Sequence, residues 1–197
     1  MKKLRLKFIF LPVLLPVLFI SMISGCSDDR SEANQLVEEG DALRSSAIDN
    51  LRRSTATMDG LVRDASAGRS LPAAQTKITT TKAIEDLNIA LADLTARDAK
   101  LKSADALPLN DNYHAYLAQL RSSNDLLTAT VNTAAEIPRL IEREQYSLAG
   151  WDEIKSQEIV SQIMSIEQQI DQMYKESETV RNRAEQLRKD SPADFGD

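Results

Sequence analysis

Chemistry in this chain would have to come from very few residues, since its 197 positions include one histidine, His114, and one cysteine, Cys26. A metal or haem site built on helices takes several ligands, and no Glu-x-x-His pair occurs, so His114 is expected to be a surface residue. Carboxylates are plentiful, as in Glu38, Glu39 and Asp41 or Glu142 and Glu144. On an acidic chain these read as solvated faces rather than as a paired acid and base. No Gly-rich phosphate loop, no G-x-S-x-G and no serine with a suitable histidine partner is present. The expectation is a protein that is not an enzyme, with no catalytic residue, no metal ligands and no bound cofactor.

Cys26 is different, because of what precedes it. Residues 2 to 7 carry Lys2, Lys3, Arg5 and Lys7 with no acidic residue, and an apolar run from Phe8 to Ile23 follows, broken by Pro12, Pro16 and Ser21. This is the layout of a secretory signal peptide. A run of about 16 residues with two prolines is short for a spanning helix, which needs about 20.

The run ends in Ile23-Ser24-Gly25-Cys26, and here the sequence resembles bacterial lipoprotein precursors, whose lipobox has an aliphatic residue, two small residues and a cysteine. The resemblance covers residues 1 to 26. It implies diacylglycerol on the Cys26 thiol, signal-peptidase cleavage between Gly25 and Cys26, and an N-acyl chain such as palmitate on the new amino group. Two or three acyl chains hold a protein to a membrane durably, at about 0.8 kcal/mol per buried CH₂.

Cleavage would remove four of the 24 Lys and Arg and none of the 30 Asp and Glu, leaving a formal charge of −10. Such a chain is no nucleic-acid binder. Anionic headgroups would repel it, so the acyl chains must do the holding. With its one thiol lipidated, the monomer has no disulfide and no thiolate metal site.

The domains expected are a signal peptide at 1–25, a lipidated terminus and short linker at 26–30, a helical domain at 31–190 and a flexible tail at 191–197. Pro72, Pro108, Pro138 and Pro192 punctuate the last two, and between them apolar residues recur at helical spacing with no period-two run. A first helix is expected from Ser31 to Ala67, along Leu36, Gly40, Leu43, Ala47, Leu51, Ser54, Met58, Leu61 and Ala65, with Gly68 as its C-terminal cap. Ser70 would cap a second helix with Pro72 in its first turn and a stripe of Ile78, Ile84, Leu87, Leu91, Leu94 and Leu101.

Asn110 or Asp111 would cap a third helix bearing Tyr113, Leu117, Leu120, Leu127, Val131 and Ala134, which Pro138 either kinks or ends. From Asp152 to Lys189, Ile159, Ile163, Ile166, Ile170, Met173, Ser177, Val180, Ala184 and Leu187 make a heptad repeat. Helices of this length are rods of about 40 to 57 Å. Short connections make the fold an all-α, antiparallel up-down-up-down four-helix bundle with coiled-coil-like packing.

Two stripe positions are polar, Asn124 and Ser177, and each lies about 18 to 20 Å up its helix. They are expected to meet across the third and fourth helices and set register.

At the end away from Cys26, the turns near Gly68 and Gly150 gather Leu71, Tyr146, Leu148 and Trp151. These either plug the bundle or form a candidate partner-contact tip. The expected function is that of a non-catalytic envelope lipoprotein, a helical spacer, adaptor or accessory subunit contacting another envelope protein. Alternatives are a solute-binding or sensory bundle with a small-molecule pocket between helices, or a homodimer through the last helix. Ser27 rather than aspartate after the lipidated cysteine resembles outer-membrane sorting, which implies the periplasm; a single-membrane host implies the outer face of the plasma membrane.

Overall fold

The computed structural model describes residues 27–69, 71–146, 148 and 153–196. Six helices run through them: α1 (Ser27–Ser66), α2 (Ala73–Asp105), α3 (Asp111–Ala134), α4 (Glu136–Tyr146), α5 (Glu153–Asp190) and the single turn α6 (Pro192–Phe195). No strand occurs among the described residues. The fold is an all-α, antiparallel four-helix bundle in which α3 and α4 together supply the third rod. Packing is closest between α1 and α2 and between α3 and α5, while α1 and α5 approach each other more sparsely.

Local chemistry sets the ends of the rods. Gly68 has a φ of 65°, and at that turn Arg69 N–H donates to the Asp64 carbonyl at 2.9 Å while Gly68 N–H donates to Ala65 at 3.0 Å. These are the two bonds of a Schellman cap, whose left-handed residue glycine adopts freely. Pro72 stands at the N-cap of α2 rather than inside its first turn. The cap expected from Ser70 lies outside the described residues. Asn110 caps α3, its Oδ1 accepting from Tyr113 N–H at 2.8 Å. Pro138 interrupts the third rod upstream of itself: it has no N–H for the Ala134 carbonyl, and the helix breaks for one residue at Ala135 before resuming as α4.

Three apolar clusters fill the interior. Met58, Leu61, Leu140, Ile141, Ile159 and Ile163 pack at one end. Leu51, Leu87, Leu94, Leu127 and Val131 fill the middle. Val37, Leu101, Leu117 and Leu120 pack at the end where the described chain begins, with three aromatic rings. Every residue of the expected α1 and α5 stripes is at least half-buried, whereas Ile78 on α2 is 64% exposed. Thr76, Thr80 and Ala83 take the inward places there, because the face that meets α1 and α4 has room for small side chains only.

Two expected segments need correction. Of the expected linker at 26–30, residues 27–30 are helical and belong to α1. Residues 191–196 are not a flexible tail. Phe195 is fully buried, 4.8 Å from the Tyr113 ring and 5.2 Å from Tyr116, centroid to centroid. Asn34 donates to the Phe195 carbonyl at 3.0 Å and Arg30 to Ala193 at 3.1 Å. The sequence reading missed that one aromatic ring near a chain end can find a complete pocket.

Candidate functional site

Between the middle cluster and the aromatic end lies a layer of charge to which all four rods contribute. Arg97 of α2 is fully buried, and its guanidinium donates to Asp41 of α1 at 3.2 Å and to Asn124 of α3 at 3.3 Å. Arg181 of α5 donates to the other Asp41 oxygen at 2.9 Å. Arg44 pairs with Glu178 one turn along. Gly40 makes room for this layer: a Cβ there would stand 3.4 Å from the Arg97 Cγ. Burial, with Arg44 and Arg181 acting in the same sense against Asp41, brings the Arg97 pKa down to about 10. The group therefore stays charged at neutral pH, held by Asp41 in a site where an unpaired charge would be costly.

Asn124 and Ser177 both lie in the buried layer, but their partners differ from expectation. Ser177 meets Ser123, one residue before Asn124; their hydroxyls are 3.0 Å apart and each donates to the other's backbone carbonyl at 2.9 Å. Asn124 turns toward α2, where its side-chain amide donates to the Leu94 carbonyl at 3.1 Å. The long Arg97 side chain reaches Asn124 first. Arg97 itself was missed, although the step of seven between Leu94 and Leu101 leaves an inward position open at 97 or 98. Asp41 was read as a solvated carboxylate and is instead the centre of the layer, where it holds Arg97 and Arg181.

The other acidic pairs are surface features. Glu39 binds Lys100 at 2.5 Å, Glu142 lies 3.6 Å from Lys77, and Glu144 lies 3.0 Å from both Arg143 and Lys155. His114 is half-exposed with Nδ1 2.9 Å from Asp105. No group of three His, Cys, Asp or Glu placed to hold a metal ion occurs among the described residues.

The sparse approach of α1 to α5 leaves a groove of about 390 Å³ on that side of the bundle. Its apolar wall comes from Met58 and Val62 of α1, Ile137 of α4, and Met164 and Ile170 of α5. Asp59, Glu167 and Asp171 line it as well, and among the described residues no Lys, Arg or His does. Desolvation, followed by repulsion from Asp59 and Asp171, raises the Glu167 pKa above its ordinary value. The groove meets a second recess of about 590 Å³ at Met164, bounded by Ala65 of α1, by Gly68 in the turn after it, and by Glu153 and Val160 on α5.

Of the expected contact tip, Leu71 is 5% exposed and Leu148 fully buried, both in the terminal apolar cluster at that end of the bundle. The hydrophobic effect draws them inward because the open end of the bundle would otherwise be wet. The Tyr146 side chain and Trp151 lie outside the described residues, as do Gly25 and Cys26. No family model matches the chain, and no curated protein or solved structure matches it.

Proposed function

We propose that this chain is a non-catalytic lipoprotein of the bacterial envelope, anchored through acyl chains on Cys26 after cleavage at Gly25, and that it serves as a helical spacer, adaptor or accessory subunit for another envelope protein. The observation that carries the reading is the lipobox Ile23-Ser24-Gly25-Cys26 at the end of a basic and then apolar leader, with the described chain helical from Ser27 onward. No helix among the described residues is long and apolar enough to cross a membrane, which fits attachment by lipid. With Ser27 following the cysteine, the periplasmic face of the outer membrane is the favoured site, and the outer face of the plasma membrane is the alternative.

Intact-mass measurement of the full-length chain and of Cys26→Ser tests this reading. The expected outcome is a native protein beginning at residue 26 with diacylglycerol and an N-acyl chain, and a variant that keeps residues 1–25 and carries no fatty acid. A native protein free of fatty acid would overturn it. The groove between α1 and α5 favours a second reading, a bundle that binds a small solute; a ligand-dependent rise in melting temperature would support that.

A further inference from the structure

The groove between α1 and α5 has features that the charge layer and the apolar clusters do not explain. It is open on one side, walled by methionine and aliphatic side chains, and edged by carboxylates only. Asp59, Glu167 and Asp171 have no cationic partner among the described residues. Met164, 54% exposed, stands where the groove joins the second recess, and thioether side chains adapt to varied apolar partners. The second recess adds one more carboxylate, Glu153, and no cation among the described residues.

We propose that this groove docks an amphipathic helix of a partner protein, with the helix's apolar face on Val62, Met164 and Ile170 and its flanking Lys or Arg side chains on Asp59, Glu167 and Asp171. The inference takes the adaptor reading as its premise and gives the partner's chemistry.

Length and charge both favour this occupant. From Ser54 to Ser66 the two recesses follow the last 13 residues of α1, about 18 Å at 1.5 Å per residue, or a little over three helical turns. A rod laid between two rods is the helix-in-groove mode, read by apolar anchors at i, i+3, i+4 and i+7. A cation brought to Glu167 would relieve the repulsion that its two acidic neighbours impose. A second copy of this chain suits the site poorly, because a two-fold contact would set the same uncompensated carboxylates against each other.

The probe is a 14-residue helical peptide with leucines at i, i+3, i+4 and i+7 and lysines beside them, titrated against the full-length chain in phosphatidylcholine nanodiscs at physiological salt. Expected are one-to-one binding, at least tenfold weaker binding to Asp59→Lys/Asp171→Lys, and little change with the control Glu85→Lys/Asp125→Lys, whose positions are exposed elsewhere. Melting curves confirm that both variants fold. The same peptide with glutamate for lysine should fail to bind.

Absence of binding by the lysine peptide overturns the proposal, as does equal weakening by the two double variants, which would indicate general attraction to an acidic protein. Saturation by a small apolar cation such as dodecyltrimethylammonium while the peptide fails assigns the groove to a solute and also overturns it. The mass of the same preparation reports lipidation independently, so failure of the anchor reading and failure of the groove reading are told apart.

Discussion

Asp41 holds two guanidinium groups from two different rods, and the chemistry of the interior makes the two sides of that arrangement unequal. Losing Asp41 leaves Arg97 charged and fully buried with no counterion in contact, whereas Arg97→Met replaces one charge by a side chain of similar length and leaves Asp41 with Arg181. Breaking a buried pair costs about 3–5 kcal/mol and apolar replacement is often near neutral. Because Asp41 is partly solvated, Asp41→Ala is expected to lose about 2 kcal/mol or more in urea unfolding, and Arg97→Met about 1 kcal/mol or less. Glu167 offers a pH test. Its folded-state pKa is raised, so the folded state favours its protonated form; that contribution is full below the unfolded value and is lost as pH rises through the folded one. Glu167→Gln is therefore expected to melt higher than wild type at pH 7, with the gain fading as pH falls through the carboxylate range. The polar layer was legible in Asn124 and Ser177, two polar residues in apolar stripes. Which atoms meet was not, because that depends on Arg97, and a charged residue at an inward position has no signature in hydrophobic spacing alone.

At the scale of elements, hydrophobic period carried most of the fold. The stripes of α1, α3 and α5 face inward as their spacing implies, since a helix of this length is stable only if it buries a continuous face. On α2 the period was misjudged near its start. Ile78 lies on the solvent side, and the threonines and alanines that do face inward give a weak apolar signal. The turn α6 was missed for a related reason: four residues have no period. It rests on Phe195 between two tyrosines and on backbone carbonyls held by Arg30 and Asn34. Phe195→Ala is expected to destabilise the protein by about 3 kcal/mol, and removal of residues 191–197 by at least as much. A truly loose tail would leave the thermal midpoint unmoved in both.

At the scale of the whole molecule the heptad repeat poses a question of chain number. A seven-residue repeat can close one bundle or join two chains, and the sequence does not distinguish them because the same face serves either purpose. In the folded chain Ile159, Ile163, Ser177 and Ala184 are buried against its own helices. Sedimentation of the chain lacking residues 1–26 is therefore expected to give a monomer, and a dimer that resists dilution would mean that the last helix exchanges partners. The placement of α6 beside the start of α1 has a practical consequence. A fluorescent reporter fused after α6 would share its surroundings with the first described turns of α1. An epitope inserted at the Gly68 turn would sit about 60 Å away, at 1.5 Å for each of the 40 residues of α1, and the pair of labels would work as a ruler for how the molecule stands on whatever holds it.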